Sequence, residues 1–185
     1  MISSRAKLYK KLVNSIIFMN NEIRFWSGDE IKKPIPYVHD NVILCVGTNT
    51  QGRSGKGLAL TARDYWGAEY GKARGLSGRC YLLVTKNLKK GFYEEETGIT
   101  YHRYGRFSLT KDQIRANIAD MYKVARENPD KWFIIPYIRD KSNLNGYTSL
   151  ELINLFIRDI DVPRNIVFHN SWKDLVLSVI HKAAA

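Results

Sequence analysis

Short apolar runs alternate with amphipathic segments along most of the chain, and this alternation limits the possible folds more than any other sequence feature. The apolar runs lie at 23–26, 41–46, 79–85, 131–138 and 165–169. Continuous apolar runs of this length are typical of strands that are buried on both faces of a sheet. Strands that alternate with helices form a largely parallel sheet with helices packed on both sides. The sequence therefore predicts a three-layer α/β/α fold with a mixed, largely parallel central sheet.

Three segments have the period of amphipathic helices, and each begins with the spacing of a capping box. They cover 109–128, 148–160 and 171–183, and the box pairs are Thr110 with Gln113, Thr148 with Glu151, and Ser171 with Asp174. In such a box, each of the two side chains accepts a hydrogen bond from the backbone N–H of the other residue. The segment 86–108 is polar and aromatic without a helical period, which predicts a β-hairpin or a long surface loop.

The length and composition fit one domain with a full core. The chain has 185 residues, of which 44% are hydrophobic, enough for one domain. Residues 1–22 combine cations with a short apolar patch, so we expect an amphipathic helix that packs on a single domain formed by 23–185. No apolar run reaches the about 18 residues that a membrane-spanning helix needs, and no membrane partner is expected. Cys45 and Cys80 lie in apolar runs without metal-ligand spacing, which predicts buried free thiols in a cytoplasmic protein.

The chain is strongly basic, and its charge is unevenly distributed. The formal net charge is +11, and the isoelectric point is near 9.6. Residues 41–80 carry 6 cations and 2 anions, whereas 127–185 are balanced at 7 and 7. A positive field over the middle of the chain favours a phosphate-bearing partner, either a nucleotide or a nucleic acid. The same charge also fits a soluble basic surface with no particular partner.

The stretch "NVILCVGTNTQGRSGKGLALTAR" at 41–63 reads as a strand, a glycine-rich loop with two cations, and a helix. Such an arrangement offers backbone N–H groups to an anion. It is not a P-loop, because Gly57 follows Lys56 where that motif has Ser or Thr, and Thr50 stands where it has its first glycine. The glycine spacing also fails the dinucleotide-binding pattern Gly-x-Gly-x-x-Gly. The loop therefore predicts an anion site of another kind.

Four pieces of the chain, taken together and in order, resemble the macrodomain family, whose members bind ADP-ribose. "IRFWSGDEI" is similar to the family's opening strand and Gly-Asp-Ile signature, and "VILCVGTN" to a strand that ends in Asn-Ala-Ala-Asn, of which Asn49 remains. "GKGLALTA" is similar to the glycine-rich loop with its helix, and "PYIRDKSNLNGYTSLELINLF" to the second phosphate loop. The block at 47–86 resembles more closely a divergent macrodomain-like group encoded by bacteriophages and some bacteria. The resemblance covers about residues 23–172 and implies a macrodomain-like fold, in the host cytoplasm if the chain is phage-encoded.

The resemblance implies that the chain binds ADP-ribose or a related NAD-derived nucleotide in a cleft between the two loops. Asp29 would accept a hydrogen bond from the adenine amino group, while Gly55 and Gly57 would let backbone N–H groups approach the diphosphate. The implied ligand-binding set is Asp29, Gly47, Thr48, Arg53, Gly55, Lys56, Gly57, Leu58, Ser142, Asn143, Asn145, Gly146 and Tyr147. Simpler roles stay open: Asp29 fits a turn, Arg53 and Lys56 fit solvated cations, and Tyr147 fits a partly buried loop aromatic.

Asn49 and Asp140 are the candidate catalytic residues if the chain is an enzyme. By the resemblance, Asn49 would orient a water at the distal ribose, and Asp140 offers a carboxylate as general base. The reaction would be that of an ADP-ribosyl hydrolase or an ADP-ribose 1-phosphate phosphatase, with no cofactor and no metal. Ala59 stands where active hydrolases of one branch carry an aspartate, which weakens this hypothesis, and Asn49 fits a loop cap equally well.

A hypothesis from another class is a basic nucleic-acid-binding protein on the same scaffold without catalysis. The stretches "KNLKKGFY" and "TYHRYGR" interleave aromatic rings with cations. Rings of this kind stack on bases while cations follow the phosphates of a single strand. Because a fold does not determine a function, the alternative stays open.

Overall fold

The structure, a computed structural model, describes residues 14–18, 21–29, 31–139 and 141–184. The described residues form nine strands, seven of them in one sheet and two in a separate hairpin. The strands are β1 (Asn14–Phe18), β2 (Asn21–Trp26), β3 (Val42–Asn49), β4 (Gly75–Ser77), β5 (Cys80–Lys86), β6 (Phe92–Glu94), β7 (Ile99–Tyr101), β8 (Trp132–Ile134) and β9 (Ile166–His169).

The main sheet has the order β1-β2-β9-β8-β3-β5-β4. The five inner strands, from β2 to β5 in that order, are parallel to one another, and the two edge strands pair antiparallel. The largely parallel, mixed sheet predicted from the alternation is therefore confirmed.

Four helices of the described residues cover the two faces of this sheet. They are α1 (Gly57–Tyr65), α2 (Lys111–Glu127), α3 (Ser149–Ile157) and α4 (Lys173–Ala184). Residues of α2, α3 and α4 share one buried cluster, and residues of α1 share the other. The chain therefore has the predicted three-layer α/β/α architecture.

Strand β3 shows why a continuous apolar run was required at the centre of the sheet. Val42, Leu44 and Val46 pack in the cluster under α1, while Ile43 and Cys45 pack in the cluster under the other helices. Successive side chains of a strand point to opposite faces, so a strand with helices on both sides has no polar face.

Two of the three predicted capping boxes are confirmed. Thr110 and Gln113 cap α2 reciprocally, and Thr148 and Glu151 do the same for α3. The third differs: a short 3-10 helix (Asn170–Trp172) precedes α4. There the Ser171 hydroxyl accepts a hydrogen bond from the Arg139 N–H (2.9 Å). A tertiary contact thus uses the group that the local pattern assigned to a cap.

The expected elements outside the sheet centre have mixed outcomes. The segment 86–108 contains the antiparallel pair β6 and β7, so the hairpin is confirmed. The helix predicted over 1–22 is wrong at 14–18, which form β1 and pair with β2. It is also wrong at 21–22, which begin β2, while residues 1–13, 19 and 20 lie outside the described part of the chain.

The two cysteines are free and buried, as predicted. Burial raises the pKa of the Cys80 thiol to about 12, and burial also raises the pKa of Cys45. Neither thiol is therefore a nucleophile near neutral pH. Among the described helices, none combines the length and apolar character needed to cross a membrane.

The half-buried ring of His39 makes stability depend on pH. Its Nδ1 accepts a hydrogen bond from Ile35 N–H (2.8 Å), and burial, followed by the nearby Arg79 charge, lowers its pKa below 6.5. Because the folded state binds this proton less readily than the unfolded chain, His39 contributes stability above pH 6.5 that is lost as the pH falls. We expect urea unfolding midpoints to drop between pH 7 and pH 5 by less in His39→Asn than in the native chain. Equal drops would contradict this role.

Candidate functional site

The candidate site lies where the connections of the sheet diverge. Strand β3 continues through α1 toward β5, whereas the neighbouring β8 continues through α3 to β9 on the other side. The loops that leave these two strands therefore part at the carboxyl edge of the sheet. Ligands of open α/β sheets bind in the crevice that forms at such a point.

The loop after β3 is shaped by the side chain of Asn49. Its Nδ2 donates to Arg53 O (2.8 Å), and its Oδ1 accepts from Arg53 N–H (3.1 Å). The pairing of β3 with β5 also shifts register between Thr48 and Asn49. Asn49 therefore closes the loop, which is the simpler of its two predicted roles, and its role as a water-orienting residue stays a prediction.

Gly52 brings this loop against a second backbone segment. Gly71 N–H donates to Gly52 O (3.0 Å). Gly52 has φ +66°, and a Cβ there would lie 2.4 Å from the carbonyl carbon of Gly71. Thr48 Oγ1 also donates to Ala73 O (2.6 Å) on the same neighbouring segment. The loop therefore has little freedom at its base, and Thr48 contributes to holding it there.

The amino end of α1 is open. Lys56 is its N-cap residue but makes no side-chain capping bond, and the first turn has no acidic residue. A Cβ on Gly55 or Gly57 would meet no atom within 4 Å, and Gly57 has φ +55°. Arg53 and Lys56 are exposed, and no described residue forms an ion pair with either. Free N–H groups, the helix dipole and two cations make this end suitable for an anion.

Two other predicted residues of β3 and α1 are packed into the molecule. Gly47 lies beneath Tyr137, whose Oη would be 2.7 Å from a Cβ at that position. Leu58 is half-buried against the cluster under α1. Gly47 therefore makes room for the loop after β8, and Leu58 anchors the helix. Their contacts with a ligand stay predictions.

Asp29 is an exposed residue of the turn after β2, and the turn is held in place by His169. Ser171 N–H donates to His169 Nδ1 (3.1 Å), so the proton is on Nε2, which donates to Gly28 O (2.9 Å). His169 is thereby structural, and Asp29 directly follows the anchored Gly28 at the carboxyl edge of the sheet.

The loop after β8 is tied together by its own side chains. Asn145 is buried, and its Oδ1 accepts from Tyr147 N–H (2.9 Å). Asn143 Nδ2 donates to Tyr147 O (3.0 Å). The Tyr147 hydroxyl donates to Leu109 O (2.6 Å), and burial raises its pKa. These contacts give Asn143, Asn145 and Tyr147 structural roles. Asp140 lies outside the described residues.

A cavity of about 530 Å³ opens beside this loop. Its lining includes four predicted ligand-binding residues, which are Ser142, Asn143, Gly146 and Tyr147, together with the cations Arg106, Arg139 and Lys141. Leu150 and Leu175 form an apolar part of its wall. The described lining contains no residue of the glycine-rich loop. The predicted ligand set is therefore divided between the open end of α1 and this cavity.

Asn87, which sequence reasoning missed, connects the glycine-rich loop with the hairpin segment. It is fully buried. Its Oδ1 accepts from Thr50 Oγ1 (2.6 Å) and Gln51 Nε2 (3.1 Å), and its Nδ2 donates to Lys89 O (2.7 Å) and Arg103 O (2.6 Å). A single asparagine in a polar segment carries no periodic signal, so only the tertiary structure identifies it.

Comparison with known proteins does not assign the chain. No protein-family model, no curated protein and no solved structure matches it. Within the described part of the chain, no group of three or more His, Cys, Asp and Glu side chains could hold a metal ion.

Proposed function

We propose that the chain binds ADP-ribose or a related NAD-derived nucleotide in the crevice between the loops that follow β3 and β8. The observation that carries this proposal is the amino end of α1, which is uncapped, lacks acidic residues in its first turn and has two glycines with open space around them. The diphosphate of such a nucleotide accepts hydrogen bonds from N–H groups and is attracted by the helix dipole. Arg53 and Lys56 add charge at the same end.

The position of Asp29 supports a ligand of dinucleotide length. It follows β2, which lies three strand positions from β3 in the sheet. With strands about 4.8 Å apart, the two strand ends are separated by about 14 Å. An adenine near Asp29 and a diphosphate near α1 would use the same edge of the sheet.

Hydrolysis at C1 of the distal ribose is a further part of this proposal. The two bonds to Arg53 use one Nδ2 hydrogen and one Oδ1 lone pair of Asn49. The second hydrogen and the second lone pair would orient water in that reaction. The loop-closing bonds of Asn49 and the alanine at position 59 favour binding over catalysis. We therefore put the binding function first, with hydrolysis as the activity to assay in Asn49→Ala once binding is measured.

The test is a calorimetric titration with ADP-ribose, run on the native chain and two variants of Gly55. This glycine needs no left-handed backbone, and a side chain there enters open space. Gly55→Glu places a carboxylate at the proposed diphosphate position, whereas Gly55→Gln has the same size without the charge. We expect micromolar binding by the native chain. Gly55→Glu should bind at least about tenfold more weakly than Gly55→Gln, because its carboxylate repels the diphosphate.

The outcomes of this titration are distinct. Equal affinities of the Glu and Gln variants would show that the diphosphate does not bind at the amino end of α1. No heat from the native chain, with circular dichroism showing a folded protein, would overturn the proposed function.

A further inference from the structure

A patch of cations and aromatic rings lies on the segment that the glycine-rich loop and the second loop hold between them. We call it the aromatic-basic strip, and it consists of Lys89, Lys90, Arg103, Tyr104, Arg106 and Phe107. All six residues are exposed, and the rings of Tyr104 and Phe107 expose 66% and 46% of their surface. Exposed aromatic rings beside cations do not belong to the core and are typical of a binding surface.

The strip is held rigidly although it is on the surface. Asn87 bonds to the backbone of Lys89 and Arg103, as described above, and Gly105 N–H donates to Asn87 O (2.8 Å). On its other side, Phe107 N–H donates to Asn145 O (2.8 Å). Because the backbone is anchored at both ends, only the exposed side chains have to be ordered when a ligand binds, which lowers the entropic cost of binding.

The backbone at Phe107 is strained. Its φ is +58°, an unusual value for an aromatic residue. The ring contacts Gly146 and packs edge-on against Tyr147, with ring centroids 5.1 Å apart, yet nearly half of its surface remains exposed. Strain of this kind persists where the surroundings fix a conformation that has a use. Here it presents a ring next to the Arg106 guanidinium, 6.0 Å from the ring centroid.

The strip continues into the 530 Å³ cavity through Arg106, which belongs to both. Lys141 extends the positive charge around the opening, while Leu150 and Leu175 give the cavity an apolar wall. A cavity of this volume is large enough for a nucleotide. The exposed carboxylates of Glu95, Glu96 and Asp112 flank the strip in sequence, but none of them belongs to the described cavity lining.

We propose that the aromatic-basic strip and this cavity form one binding surface for single-stranded nucleic acid. Tyr104 and Phe107 stack on bases, the cations contact phosphates, and the cavity takes one nucleotide of the strand. Base–aromatic stacking tolerates any sequence, so the surface discriminates single strands from duplexes rather than one sequence from another. This function is additional to nucleotide binding at α1, and the two sites share the loop after β8, which lines the cavity and borders the crevice proposed for the nucleotide.

The test is fluorescence anisotropy with a labelled dT oligomer of about 12 nucleotides, titrated at several NaCl concentrations between about 50 and 200 mM. Each phosphate contact contributes about −0.7 to the slope of log K against log salt for a single strand. We expect Arg103→Gln/Arg106→Gln to make this slope shallower by about 1.4. The charge-matched control Lys32→Gln/Lys123→Gln, with both lysines exposed elsewhere, is expected to leave the slope unchanged.

Stacking is tested separately from charge. Tyr104→Ala is expected to weaken binding about 5- to 150-fold, the range measured for loss of one stacked base. Tyr37→Ala is the matched control, because Tyr37 is 80% exposed but precedes β3 and so lies at the opposite edge of the sheet. We expect this control to bind like the native chain.

The cavity is tested with a pair of variants at Leu150, in the first turn of α3. Leu150 is 42% exposed, and an acidic residue near the start of a helix does not disfavour the helix. We expect Leu150→Glu to bind at least about tenfold more weakly than Leu150→Gln, because a carboxylate there repels the phosphates. Equal binding by the two Leu150 variants would show that the nucleic acid does not enter the cavity.

No binding by the native chain at 50 mM NaCl, or native-like binding by Tyr104→Ala, would overturn the whole proposal. Unchanged ADP-ribose titration of Tyr104→Ala separates this result from a failure at α1.

Discussion

Replacing Arg74 by methionine is expected to lower the free energy of unfolding by about 3–5 kcal/mol, the usual effect of removing one partner from a buried ion pair. Arg74 Nη2 lies 2.6 Å from Glu94 Oε1, and the two side chains expose only 11% and 6% of their surface. Arg74 also donates to Asn117 Oδ1 (2.9 Å). Methionine fills most of the volume of arginine but leaves the Glu94 carboxylate buried without its cation.

The measurement is urea unfolding at pH 7 with a matched surface pair as control. Lys111 and Glu151 are 3.1 Å apart, but their side chains expose 50% and 36% of their surface. We expect Lys111→Met to lose no more than about 1 kcal/mol, because solvent screens an exposed pair. Arg74→Met/Glu94→Leu should recover much of the lost stability, since no buried charge remains. If Arg74→Met loses as little stability as Lys111→Met, then burial does not protect the Arg74–Glu94 pair from screening by solvent.

The same ion pair attaches the hairpin to the rest of the domain. Glu94 is in β6, and its carboxylate also accepts from Thr97 Oγ1 (2.6 Å) and Tyr101 Oη (3.2 Å). Asn117, on α2, donates to Val84 O in β5 (2.8 Å). The ion pair therefore adds a polar anchor to the apolar contacts that Tyr101, Phe92 and Ile99 make with the core. This explains how a surface segment can present exposed rings without moving away from the site.

The strands and helices could be predicted from the sequence because their signals are local. An apolar run long enough to cross a sheet, or a threonine three residues before a glutamine, specifies an element without knowledge of its neighbours. The cap expected at Ser171 failed for the opposite reason. Its hydroxyl lies near the Arg139 backbone only after β8 and β9 have paired, and no local pattern contains that information.

The amino-terminal helix was predicted at a place where the local signal is ambiguous. Residues 14–18 contain a short apolar run at 16–18, which fits a buried helix segment and a strand equally well. Their pairing with β2 decides the matter in favour of a strand. Edge strands of this kind are determined by a neighbour rather than by their own composition.

The candidate site could be predicted only in its parts. The glycine-rich loop is a contiguous motif, so its position before α1 followed from the sequence. The cavity draws Arg106 from the hairpin segment and Leu175 from α4, far from the second loop in sequence, and these could not have been assigned to it. The proposed binding surfaces therefore depend on contacts that join segments distant in sequence, and Asn87 makes several of these contacts.

Asn87→Asp is expected to disrupt both proposed binding functions at once. The substitution keeps the size of the side chain but replaces its amide N–H₂, which donates to Lys89 O and Arg103 O, with an oxygen. A buried carboxylate that faces two carbonyl oxygens is unfavourable, and we expect a loss of about 3–5 kcal/mol at pH 8. Because Thr50 and Gln51 also bond to this side chain, the glycine-rich loop and the aromatic-basic strip should both lose their shared anchor.

The loss should depend on pH in a known direction. Burial beside carbonyl oxygens raises the pKa of the new carboxyl group above its value in the unfolded chain. The folded protein then binds the proton more readily, so the deficit should shrink as the pH falls from 8 to 5, where the protonated acid regains one donor. Unfolding midpoints at both pH values measure this.

Asn165→Asp is the control that separates stability from binding. Asn165 is buried, and its Nδ2 donates to Ala125 O, Asn128 O and Lys131 O at 2.8–3.0 Å. These partners lie before β8 and β9, at the edge of the sheet opposite the site. We expect Asn165→Asp to lose about as much stability as Asn87→Asp. Under conditions in which it is folded, it should still bind ADP-ribose and the dT oligomer like the native chain. If Asn87→Asp also binds both ligands normally while folded, then Asn87 stabilises the fold without coupling the two loops, and each binding surface is organised independently.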